Sequence, residues 1–134
     1  MINLIVLTEA LQKSWCKETS VAGEELPPNN PARGQCAVSS LVIQDYLGGD
    51  IVRVHVTGEG YDENHYFNCL EDGTIVDTTR MQYNGSCVSM ADHPKDFSSK
   101  AYSTMREWML SDVDTAHRYE LLVGLVTGNM RGDI

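Results

Sequence analysis

Apolar positions fall on a helical period at Leu4, Leu7, Leu11 and Trp15, which predicts a helix over residues 2–16. The pattern is then lost from Lys17 to Arg33, where Gly23, Pro27, Pro28 and Pro31 mark a loop or extended arm. Helical spacing returns from Cys36 to Leu47, with Ala37, Val38, Leu41, Val42 and Tyr46 on one face and Gly48-Gly49 as the stop. Asp45 is the one acid in that stretch, so the helix reads as largely buried and packed on a sheet.

Strand patterns follow. Residues 50–56 are rich in branched residues, 65–70 form a second apolar run, and 74–79 return from a Glu71-Asp72-Gly73 turn. Beyond a polar stretch with Gly85 and Pro94, a helical region starts near Ser98 and breaks at Ser111-Asp112. Asp114 or Thr115 caps its second piece, and Tyr119, Leu122, Val123 and Val126 form the apolar stripe. Helices, an antiparallel meander of at least three strands, then helices again is an α+β arrangement. The 134 residues suit one domain over 1–134, with 128–134 a frayed tail.

Charge narrows the partners. A formal net charge of −9 argues against phosphate backbones, and so against nucleic acid. The apolar start is too short for a membrane span and lacks the features of an export signal. Cys16, Cys36, Cys69 and Cys87 form no C-x-x-C pair, so they are expected as free thiols in a cytoplasmic protein, with no metal and no cofactor.

One of these thiols sits where chemistry is possible. Cys36 follows a turn and opens a helix, where the helix dipole favours a thiolate. If Glu71-Asp72-Gly73 is a three-residue hairpin loop, Leu70 faces Thr74 and His65 faces Thr79. Asp77 then lies diagonal to His65 on the same face, within reach of a hydrogen bond. A two-residue Asp72-Gly73 turn would send Asp77 to the opposite face; the three-residue register is the one favoured. Cys36, His65 and Asp77 would supply a nucleophile, a proton carrier and a group that orients it. The Cys36 backbone N–H, with a side chain from Gln35, Trp15 or Gln82, would receive a developing oxyanion. Taken singly, each residue has a structural reading: a cysteine in an apolar helix is more often core than catalyst.

The stretches GQCAVSSLVIQDYLGGDIVRV and HYFNCLEDGTIVDTTRMQY resemble the bacterial YunG family of small uncharacterised proteins. The shared pieces are Ser14-Trp15, Pro31-Ala32-Arg33-Gly34-Gln35-Cys36, Gly48-Gly49, His65-Tyr66, Asn68, Asp72-Gly73 and the run Asp77 to Tyr83. Tyr83 stands where the family pattern has Phe. A looser similarity is to the papain and transglutaminase superfamily, which has the same Cys-His-Asp order. It implies a papain-like core, with a buried N-terminal helix carrying the cysteine packed on an antiparallel sheet. The function expected is a cysteine-dependent acyl transfer, as in a peptidase, amidase, deamidase or transglutaminase-like enzyme, acting on a peptide or protein. The alternative is a non-catalytic acidic interaction module or inhibitor on the same frame.

Overall fold

The computed structural model describes residues 3–21, 29–94 and 104–131. In chain order the elements are α1 (Leu4–Ser14), α2 (Cys36–Leu47), β1 (Asp50–Gly58), β2 (Tyr61–Cys69), β3 (Ile75–Val76), a 3₁₀ turn (Arg80–Tyr83), β4 (Ser89–Asp92), α3 (Met105–Leu110) and α4 (Val113–Arg131). The four strands form one antiparallel sheet in the order β3-β2-β1-β4, so the protein is α+β. No helix among the described residues is long and apolar enough to cross a membrane.

Local chemistry accounts for most boundaries. Asn3 caps α1, its Oδ1 accepting the Ile5 N–H at 2.7 Å. The buried stripe of α1 starts at Leu7, because Leu4 is 37% exposed. The limits of α2 coincide with those read from the pattern, and it closes on Gly48 with φ +73°, whose N–H bonds the Gln44 carbonyl. At Gly49 a Cβ would lie 2.4 Å from the Cys69 carbonyl oxygen, so only glycine lets the end of β2 pass this close.

Four corrections to the sequence pattern emerge. β2 begins at Tyr61, because the polar run Tyr61 to Asn64 pairs with Gly58 to His55 across a two-residue turn. β4 is an edge strand beside β1 with one half-buried side chain, Met90, so it carries no apolar alternation. The cap of α4 is Asp112, which accepts from the Asp114 N–H and the Thr115 hydroxyl. α4 itself continues past Gly128 to Arg131, and Asn129 donates to Ser14 Oγ at 2.8 Å, where a frayed tail was expected. The predicted start near Ser98 lies outside the described residues.

The main core joins α1, α2 and α4 through Leu7, Leu11, Val38, Val42, Leu122 and Val126. Each such side chain contributes roughly 1.5–3 kcal/mol on burial, against about 1 kcal/mol for an ordinary hydrogen bond. Apolar packing therefore sets where α2 lies, and polar contacts fix its fine position. Alternation divides the sheet. Ile51, Tyr66 and Asn68 face α2 and α3, where Ile51 meets Leu41 and Met109 and Asn68 Nδ2 donates to the Ser40 carbonyl at 3.0 Å. Val54, Val56 and His65 face the other way, under Tyr83 of the 3₁₀ turn.

Candidate functional site

The hairpin joining β2 and β3 has the three-residue register. Leu70 bonds Thr74 at 2.8 Å, Asn68 pairs with Val76, and Gly73 turns the chain at φ +88°. β3 ends at Val76, so upstream of Asn68 no strand among the described residues lies beside this edge of β2. Residues 77–83 leave the sheet there and fold back over His65. The result is a direct contact: His65 Nε2 lies 2.8 Å from Asp77 Oδ2.

His65 is fully buried and held from its other side too. Gln82 Nε2 lies 3.4 Å from His65 Nδ1, while Gln82 Oε1 accepts from the Gly34 N–H at 3.4 Å and from Arg33 at 3.3 Å. Those two donors fix which end of the amide faces the ring. The neutral ring therefore carries its proton on Nε2, toward Asp77, and leaves a lone pair on Nδ1.

Cys36 opens α2 and is 8% exposed. Gly34, with φ +76°, makes the turn that feeds it into the helix. Burial alone would push the His65 pKa down. Hydrogen bonds to Asp77 and Cys36, and the negative charges of both, outweigh burial and raise it to about 9. A protonated ring keeps Nε2–H on Asp77, and its Nδ1–H displaces the Gln82 amide N–H₂ from which the neutral ring accepts. The Cys36 charge also helps raise the phenols of Tyr66 and Tyr83, each of which burial raises first. Tyr66 and His65 point to opposite faces of β2.

Of the three side chains considered as oxyanion donors, Gln82 is at the site and two are engaged elsewhere. Trp15 Nε1 donates to Ser39 Oγ at 2.9 Å. The buried Gln35 donates to the Cys16 carbonyl at 2.9 Å and accepts from the Thr19 hydroxyl at 2.8 Å. Both tie the segment before α2 to its surroundings. Their partners were not visible in the pattern because local hydrogen-bond demand leaves no periodicity.

A second layer was also missed. Arg33 holds Glu63 through two bonds of 2.5 and 2.6 Å, and the Tyr83 hydroxyl donates to Glu63 at 2.8 Å. Burial pushes the Glu63 carboxyl up, but these two donors prevail and hold it below the ordinary range. The clamp joins the loop before Cys36 to the strand bearing His65. Its one sequence signal is that Glu63 stands two residues before His65, on the same face. Among the described residues, no group of three or more His, Cys, Asp or Glu is placed to hold a metal ion, and all four cysteines are free thiols.

Fold and site together define an α+β protein with a cysteine at a helix start beside a buried, carboxylate-bonded histidine. The chain matches the model of the family described as YunG protein over residues 3–131, and it belongs to that family. It is 36% identical over 74 residues to the "Uncharacterized protein YunG" of Bacillus subtilis (strain 168), a stretch that covers 54% of this chain and 56% of that relative. The chain thus spans about half the length of the curated relative it matches. No solved structure matches it.

Proposed function

We propose that this protein is a cysteine-dependent acyl-transfer enzyme on a papain-like or transglutaminase-like frame, with Cys36 as nucleophile, His65 as proton carrier and Asp77 as the residue that orients His65. The observation that carries the reading is the fully buried His65, bonded through Nε2 to Asp77 and interacting with Cys36. In the first step the Cys36 thiolate attacks a carbonyl carbon, and the C=O electron pair moves to oxygen. The Cys36 backbone N–H and Gln82 Nε2 are the donors suited to that oxyanion. Collapse forms the thioester and breaks the bond to the leaving amine or alkoxide, which takes the Nδ1 proton. Water or an amine then attacks the thioester, His65 accepts its proton, and Cys36 leaves as thiolate.

The test is capture of the acyl-enzyme. Incubation with p-nitrophenyl acetate should acetylate Cys36 with release of p-nitrophenolate, and hydroxylamine should reverse it, both read by peptide mass spectrometry. Cys36→Ser should give no hydroxylamine-labile adduct there, and His65→Asn should slow acylation by about 10²-fold or more. Acetylation spread over Cys16, Cys69 and Cys87 with no preference for Cys36 would reject the reading. The near-complete burial of Cys36 favours a second one, a non-catalytic acidic interaction module, for which Cys36→Ser leaves function unchanged.

A further inference from the structure

The Arg33–Glu63 clamp reaches His65 through one side chain, Gln82. Glu63 holds both terminal nitrogens of Arg33, at 2.5 and 2.6 Å, and the guanidinium lies over the Tyr61 ring at 5.2 Å. Gripped in this way, the guanidinium has a fixed plane. Its Nη1 carries a second proton, and Gln82 Oε1 lies 3.3 Å from that nitrogen. The Gly34 N–H reaches the same oxygen at 3.4 Å. The Gln82 backbone is tethered too: its N–H donates to the Thr79 carbonyl at 3.0 Å, and its carbonyl accepts from Asn30 Nδ2 at 3.1 Å. With backbone and amide oxygen held, the N–H₂ end is left facing His65 Nδ1 at 3.4 Å.

An amide donates from one end and accepts at the other, so its direction decides which state of the ring it favours. The N–H₂ end bonds the lone pair on Nδ1 and favours the neutral ring; the oxygen would bond Nδ1–H and favour the imidazolium. A free glutamine would turn over when the ring takes up a proton. Here turning over would set the N–H₂ against the Arg33 Nη1–H and the Gly34 N–H, donor against donor. Gln82 is 2% exposed, and an unpaired buried donor costs more than an ordinary hydrogen bond returns.

We infer that Arg33 is a positioning residue of the site: gripped by Glu63, it sets the direction of the Gln82 amide and keeps an N–H donor facing His65. Glu63 takes part only through Arg33. The inference rests on the proposed roles of His65 and Gln82 in acyl transfer, but its test reads the ring and not the thiol.

The titratable and charged groups around His65 are Asp77 at Nε2, Cys36 from the start of α2, Glu63 on the same strand and Tyr83, whose ring lies 5.4 Å away. Arg33 stands behind Gln82. The His65 pKa is followed by NMR through its Cε1–H signal in four proteins: wild type, Arg33→Met/Glu63→Gln, Gln82→Met and the triple variant. The paired substitution removes both charges together, and their direct field on the ring acts in both backgrounds and cancels in the cycle. Removing the pair should raise the pKa by about one unit more with Gln82 present than in the Gln82→Met background. That is about tenfold in the protonation ratio, the size of one hydrogen bond. Equal shifts in the two backgrounds overturn the inference. Wild type alone gives a second reading that needs no substitution. With the ring neutral, the Gln82 amide protons should show stronger NOEs to His65 Cε1–H than to the Gly34 N–H; the reverse order also overturns the inference. Failure of Cys36 to form an acyl-enzyme overturns the enzyme reading instead, while the cycle still judges Arg33.

Discussion

Replacing Asp77 by Asn keeps the size and one acceptor oxygen of the side chain but removes its charge, so it isolates what the carboxylate does to His65. The ring's pKa rises from the ordinary 6.5 to about 9 although burial opposes it. At about 1.4 kcal/mol per pKa unit, that difference is on the order of 3 kcal/mol in favour of the protonated ring in the fold. Asp77 and Cys36 share the stabilising side, with the Asp77 hydrogen bond the larger contribution. In Asp77→Asn the His65 pKa should therefore fall by at least about one unit, followed through its Cε1–H signal by NMR titration. A raised histidine pKa stabilises fully below 6.5 and loses that contribution as pH climbs through about 9. Urea unfolding at pH 6 should thus find the variant about 1–3 kcal/mol less stable, and the gap should narrow above pH 9. A His65 pKa within a few tenths of wild type, or a stability gap that does not change with pH, would refute the reasoning.

Three further outcomes follow from the surrounding contacts. Glu63→Gln removes a carboxylate held below its ordinary pKa, whose contribution is present above about 4.5 and lost as pH falls through the folded value; acid unfolding of the variant should be shallower than that of wild type. Gly34→Ala forces a Cβ into φ +76° and should cost about 1–2 kcal/mol in urea unfolding. Asn68→Leu loses one bond to the Ser40 carbonyl but also a buried amide oxygen with no hydrogen-bond partner among the described residues, so its stability should stay within about 1 kcal/mol of wild type.

The parts of this fold legible in the sequence are those with a local cause. α2 could be bounded to the residue because apolar spacing begins at Cys36 and two glycines end it. The His65–Asp77 contact could be read in part: the loop ending in Gly73 sets the three-residue register, but the strand expected over 74–79 stops at Val76, so Asp77 meets the ring from outside the ladder and Thr79 does not pair with His65. What escaped depends on distant partners. The strand run Tyr61 to Asn64 is polar and is held by pairing with β1, not by burial. β4 is an edge strand whose side chains are almost all exposed, so its sequence carries no strand signature. Trp15 and Gln35 were sensible oxyanion donors by type, but Ser39, Thr19 and the Cys16 carbonyl had already claimed them. The Arg33–Glu63 clamp spans 30 positions, and only the Glu63 side of it, two residues before His65 on the same face, leaves a mark in the spacing.

The most direct measurement of the central claim is the rate of Cys36 alkylation by iodoacetamide at pH 7, wild type against His65→Asn, with Cys16, Cys69 and Cys87 as internal references. If His65 activates Cys36, the wild-type rate there should exceed that of the other three thiols by about tenfold or more. His65→Asn should bring the Cys36 rate down toward theirs. Equal Cys36 rates in the two proteins, no faster than the other thiols, would contradict the account.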